Sequence, residues 1–340
     1  MKTKLKTLTV ATGLALSVMS GVAQANSLAT SVLDITGFTI KYTGGAQVDK
    51  SNFSLLTISD SADISAALNP PGGAPITASG ASAGGAIDLN LPTGFVAQGA
   101  APAYVNNSFV VVSSPPVGSS YALADQLLTG SPISGLVDAA GNPIPVGAQA
   151  SHASYVSLTS PAVGTALADN SLTSGFIFAL TKGGPLDFSF NARAYLEAFT
   201  SAGTMFPTNA ASQYNLVITI DDLAAGGANV LTWKPDGSSN PGSANAKGIT
   251  AETDPFSLND GVSRNSPLTG ASFRGTGLGT AFNGKFSATS FSFVAGNPYQ
   301  LTIRSTSNAD ALDIRTVPEP ATLALLGLGL LGLGFSRRRA

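Results

Sequence analysis

Along residues 186–196 apolar side chains fall on every second position: Leu186, Phe188, Phe190, Ala192, Ala194 and Leu196 are separated by Asp187, Ser189, Asn191 and Arg193. A period of two places one set of side chains on one face of an extended chain, which is the mark of a half-buried β-strand. Phe38, Ile40 and Tyr42 alternate with Thr39, Lys41 and Thr43, and Leu216, Ile218 and Ile220 alternate ahead of Asp221 and Asp222. Phe291 and Phe293, the turn residues Ala295-Gly296-Asn297-Pro298, and then Tyr299, Leu301 and Ile303 predict a hairpin. Shorter runs at 53–58, 87–91, 109–112, 155–158, 176–180 and 230–233 predict further strands. Arg193 to Thr200 could compete as a short helix, but the upstream alternation favours strand. Roughly ten to twelve short, one-sided strands fit two packed antiparallel sheets, so the expected fold is all-β, an antiparallel β-sandwich of jelly-roll or Ig-like type. The Pro/Gly/Ala/Ser-rich stretches 69–85 and 236–246 read as loops. The pattern assigns 26–304 to this sandwich body and 305–316 to a spacer.

The two ends carry a different pattern. Lys2, Lys4 and Lys6 precede an apolar run from Leu8 to Val22 and then Ala23-Gln24-Ala25. A basic start, an apolar segment and a small-x-small site form a secretory signal peptide over 1–25, with Ala23 and Ala25 read by signal peptidase. At the other end Val317-Pro318-Glu319-Pro320 leads into the apolar run 321–335, followed by Ser336, Arg337, Arg338, Arg339 and Ala340. About 15 apolar residues are short for a bilayer that asks for about 20, but the arginines can snorkel and extend the reach. By the positive-inside rule they stay in the cytoplasm, giving a single C-terminal transmembrane helix with the body outside. The two prolines hold the tripeptide extended ahead of the span.

Taken in order, Pro318-Glu319-Pro320, the Gly/Leu-rich span and the terminal arginines resemble the PEP-CTERM sorting signal of Gram-negative bacteria that make exopolysaccharide. The resemblance covers residues 317–340. It implies recognition of the tripeptide by an exosortase, a membrane-embedded cysteine protease, transient anchoring in the inner membrane, and then arrival at the cell surface or release. The stretch 176–198 and the predicted hairpin up to Ile303 are similar to sandwich-like bodies that precede such signals.

Composition narrows the remaining choices. The formal charge is −2, from 17 basic and 19 acidic residues. Setting aside the three N-terminal lysines and three C-terminal arginines leaves 11 basic residues against 19 acidic, or −8. An acidic body without a basic cluster cannot neutralise phosphates, which argues against nucleic acid as a partner. The chain has no cysteine and one histidine, which excludes disulfides, thiolate sites and ordinary zinc sites.

Few residues suggest chemistry. Gly80-Ala81-Ser82-Ala83-Gly84 fits G-x-S-x-G, but in low-complexity sequence without the strand and helix that motif needs. The one histidine, His152, reads as solvated in a polar stretch. Gly327-Leu328-Gly329-Leu330-Leu331-Gly332 fits G-x-G-x-x-G inside the apolar span and has no βαβ unit around it. Asp60 with Asp63, Asp221 with Asp222, Asp254 to Asp260, and Asp310 with Asp313 could offer oxygens to a structural calcium, without the spacing of a calcium loop. Tyr104, Tyr121 and Trp233 are the aromatics to check for sugar stacking. The expectation is therefore a non-enzymatic protein without a cofactor, with a structural or adhesive role in a biofilm, floc or exopolysaccharide matrix and its Ser and Thr residues open to glycosylation. A carbohydrate-binding module, with or without calcium, is the alternative, with exopolysaccharide or envelope glycan as partner; a hydrolase with an unrecognised site is the third reading.

Overall fold

The computed structural model describes residues 26–70, 73–84, 89–90, 93–98, 105–113, 120–159, 164–201 and 208–313. Its strands are β1 (Ser27–Tyr42), β2 (Phe53–Asn69), β3 (Ile76–Gly84), β4 (Leu89–Asn90), β5 (Gly94–Gln98), β6 (Ser120–Thr129), β7 (Ala148–Leu158), β8 (Gly164–Leu180) and β9 (Gly184–Thr200). They continue with β10 (Thr208–Asp222), β11 (Ala228–Trp233), β12 (Ala246–Lys247), β13 (Ile249–Thr253), β14 (Asn259–Asn265), β15 (Gly270–Arg274), β16 (Phe282–Phe293) and β17 (Tyr299–Asp313). One 3-10 turn, Lys50–Asn52, is the helical element among the described residues.

The strands form two antiparallel sheets. The first has the order β13-β16-β9-β1-β7-β6-β4, with β15 also on β9 and β5 on β6. The second has the order β12-β11-β10-β17-β8-β2-β3, with β14 also on β10. One apolar core, with Leu33, Phe190, Phe176 and Ile218 among its members, lies between them. The expected packed antiparallel sheets are present. They are built on a larger plan than the expected short strands: β2, β8 and β9 have 17 residues each.

Four expectations change. Residues 291–303 do not form a hairpin, because β16 belongs to the first sheet and β17 to the second. The turn carries the chain from one sheet to the other, and the aromatic rings fill the arch: Phe293 meets Tyr299 at 4.9 Å and Phe178 at 5.8 Å between ring centroids. Alternation is the same on both sides of a hairpin and of an arch, so periodicity cannot separate them. Residues 76–84, within the expected loop, form edge strand β3, whose pairing with β2 runs from Leu68↔Ile76 to Asp60↔Gly84. Residues 109–112 are not a strand but part of a strap, residues 105–113, over the outer face of the first sheet. Residues 305–313 of the expected spacer 305–316 are the larger part of β17 at the centre of the second sheet.

The strap explains why β1 is buried on both faces from Ser27 to Leu33. Val32, Tyr155, Tyr195 and Leu123 form a second apolar cluster with Phe109. The strap's carbonyls are held from the sheet: Thr30 Oγ1 donates to Val112 at 2.8 Å, Tyr155 to Val110, and the Arg193 guanidinium to Phe109. Further along β1 the register shifts between Ile35 and Phe38, where Gly37 has φ 64°. This bulge changes parity, so that Phe38 and Ile40 enter the same core as Leu33 and Ile35.

The core has two unlike halves. One is aromatic: Phe190 lies 5.1 Å from Phe286, 5.5 Å from Trp233 and 5.8 Å from Phe38 between ring centroids. The other is built from alanine and serine, and hydroxyls there cross from sheet to sheet. Ser31 donates to the Gln213 carbonyl and Ser154 to the Ser307 carbonyl, each at 2.8 Å. Ser307 donates to Ser31 Oγ at 2.9 Å, and Asn170 Nδ2 to the Ala153 carbonyl at 2.8 Å. Buried side chains must find partners, and these find them in the opposite sheet.

Removing the ring at the centre of the aromatic half should leave a cavity that its neighbours cannot fill. Phe190→Ala is expected to lower the unfolding free energy by about 3–5 kcal/mol, read from urea denaturation monitored by the fluorescence of Trp233.

Candidate functional site

The outer face of the second sheet is polar across its centre. Odd-numbered β10 residues and even-numbered β17 residues point outward, and the register sets them in rows. Thr302, Thr219 and Thr232 form one row across β17, β10 and β11. Arg304 pairs with Val217 in the next row, where Lys234 directly follows Trp233, the partner of Ile218. Thr306, Asn215 and Asn259 form the third row. These residues line an open groove of about 840 Å³. A second recess of about 540 Å³ shares Arg304 and Thr306 and continues over β8, β2 and β3 past Ser171, Asp169 and Asp63.

The charges along this face are arranged unevenly. Asp260, at the groove's edge, accepts from Arg274 Nε at 2.8 Å and from the Gly261 amide at 2.8 Å, so its charge is already matched. Arg304 and Lys234 carry no ion pair to a described residue. At the other end, burial and then the neighbouring Asp310 hold the Asp169 carboxyl above its usual range. The groove offers hydroxyls, amides and two cations to a ligand from solvent, with carboxylates beyond them.

The residues singled out from sequence are dispersed. Ser82 lies in β3 opposite Ala62. His152 is fully buried in β7, not solvated as expected, and shares a 2.6 Å hydrogen bond with Ser305 Oγ, not with Ser82. The reason is its parity: it occupies an inward position of β7, and a serine from the other sheet satisfies its Nε2. Asp60 and Asp63 are an odd number of residues apart, so Asp60 faces inward to Ser174 at 2.5 Å while Asp63 faces out. Asp222 caps a turn through the Ala224 and Ala225 amides. Asp254 is buried, and burial first, then Glu252, pushes its carboxyl up to about 7. Glu252 accepts from the Asn240 amide at 2.8 Å, and the Asp254 amide donates to Ser239 Oγ at 3.2 Å, so these residues fasten the loop that precedes them. Among the described residues no three His, Cys, Asp or Glu side chains come together as a metal site. Trp233 and Tyr121 are buried, and Tyr104 lies outside the described residues.

Ala23, Ala25, Pro318, Glu319, Pro320, Arg337, Arg338 and Arg339, the signal peptide and the C-terminal span also lie outside the described residues. Among the described residues no helix is long and apolar enough to cross a membrane. The groove was missed from sequence because its residues come from four strands, β10, β11, β14 and β17, that are separated along the chain. Thr302, Arg304 and Thr306 alternate with Leu301, Ile303 and Ser305, and that period was legible; beyond Ile303 the inward positions become Ser305 and Ser307, and the signal fades.

Buried His152 gives a pH test. Burial lowers its pKa from 6.5 to about 4, so the unfolded chain takes up the proton first as pH falls. Its contribution to stability is whole above about 6.5 and drains away toward pH 4. Asp60 works in the opposite sense: burial raises it from 3.8 to about 6, and its cost disappears as pH falls through that window. The difference between wild type and His152→Asn isolates the histidine. Between pH 7 and pH 4.5 the wild type should lose about 2 kcal/mol more than the variant in urea unfolding; equal losses would contradict the assignment.

Residues 316–339 match the family model of the PEP-CTERM protein-sorting motif. The match begins three positions after β17 ends at Asp313. The motif implies export and sorting through the membrane to the cell surface, with an exosortase as the processing partner. No curated protein and no solved structure matches the chain.

Proposed function

We propose that this chain is a non-enzymatic surface or matrix protein, trimmed at both ends during export, whose sandwich serves a structural or adhesive role among extracellular polysaccharides. The observation that carries the reading is the sorting motif at residues 316–339, which makes the chain a substrate of processing chemistry that belongs to its partner. The long strands and the cross-sheet hydrogen bonds support a rigid, persistent body.

A second reading, carbohydrate binding by the body, is favoured by the polar groove on the second sheet. Sugars present many hydroxyls, and threonine, asparagine and arginine side chains supply matching donors and acceptors. With Trp233 and Tyr121 buried, such binding would rest on hydrogen bonds and charge and not on stacking.

Mass spectrometry of the exported protein from its native cell should find a chain beginning at Asn26 and lacking the terminal arginines. Replacing Pro318, Glu319 and Pro320 together by alanine should leave a longer, membrane-retained form. Unchanged processing of that variant would overturn the sorting part. Hydrolysis of a glycan or ester by the exported protein, lost on Ser82→Ala or on changing a single carboxylate, would overturn the non-enzymatic part.

A further inference from the structure

We propose that the groove over β10, β11 and β17 binds an acidic polysaccharide in which uronate residues are interspersed with neutral sugars; this rests on the carbohydrate-binding reading above. Three observations lead there. Arg304 and Lys234 line one groove and occupy neighbouring places on either side of Val217, two strand spacings apart, or about 10 Å. In a body with more acidic than basic residues, two cations without an ion pair to a described residue form a local site for anions. The acidic side chain on the rim, Asp260, is already matched by Arg274.

Shape and the far end of the groove then choose among anionic ligands. The two recesses join at Arg304 and Thr306 and extend across β8 to β2, which suits a chain and not a small ion. The far recess presents Asp63 and Asp169, which accept hydrogen bonds from sugar hydroxyls but repel a polymer charged at every unit. A uniformly charged strand such as nucleic acid is therefore disfavoured, and a strand of alternating charged and neutral units fits both ends. Arg304 offers its planar fork to a carboxylate, and Lys234 adds a point charge.

Calorimetry with the exported, processed protein tests this. The probes are an oligosaccharide of alternating uronate and N-acetylhexosamine, the methyl ester of the same oligosaccharide, and duplex DNA. The acidic oligosaccharide should bind, with affinity falling as salt rises, and its neutral ester should bind about tenfold more weakly or not at all. Arg304→Ala and Lys234→Ala should each weaken binding about tenfold, with Arg304→Lys intermediate. Both side chains lie outside the core, so the thermal unfolding midpoint should not move; Thr306→Ala with Asn215→Ala provides a second, uncharged route to weaker binding. Equal binding of acid and ester, or wild-type binding by both charge variants, would overturn the anionic assignment while leaving a glycan-binding body in place. Binding of DNA in preference to the oligosaccharide, or of neither sugar, would overturn the groove as a glycan site; end trimming, measured separately, bears only on sorting.

Discussion

A serine side chain is short, so its hydroxyl reaches a main-chain oxygen on a facing sheet only where the sheets come closer than the usual separation of about 10 Å. That condition is met along one half of this sandwich, where Ser31, Ser154 and Ser307 bond across the interior. Ala29, Ala198, Ala210 and Ala309 are buried in the same core. Small side chains permit the approach, and the approach supplies partners for the hydroxyls. Neither half of that exchange works without the other. A larger residue at Ser307 would part the sheets and leave buried polar groups unmatched, which is costly. The aromatic half imposes the opposite requirement, filling a wider gap with Phe190, Phe286 and Trp233.

β17 joins this interior to the surface that matters. Its inward residues, Ser305 and Ser307, contact His152, Ser31 and Ser154 of the first sheet. Its outward residues, Thr302, Arg304 and Thr306, line one side of the groove, and Arg304 and Thr306 also line the second recess. The seam therefore fixes the platform on which the polar rows stand. The same strand ends at Asp313, close to the start of the sorting motif at residue 316, so the folded body and the processing signal are near neighbours along the chain.

Much of the all-β character could be read directly. The run from Leu186 to Leu196 is a strand whose alternating Leu186, Phe188, Phe190, Ala192, Ala194 and Leu196 all face the core, and Leu216, Ile218 and Ile220 behave alike. What could not be read was which sheet each strand joins, because a period of two reports a face and not a neighbour. The arch between Phe293 and Tyr299 shows this. The seam was hidden for another reason: serine at an inward position looks like loop or surface, so the stretch from Ser305 onward passed for a spacer. His152 was misread on the same grounds, since a polar neighbourhood in sequence became a buried one in space. The sorting motif needed no fold to be seen, because its tripeptide, span and basic end are contiguous in the chain.

Native-state hydrogen exchange on the exported protein tests the seam most directly. Amides of residues 305–311 in β17 should exchange only through global unfolding, with protection equal to that of β9 in the interior of the first sheet. Protection of 305–311 as low as that of a solvated segment would contradict the account, because a strand that closes the interior cannot open while the sandwich stays folded.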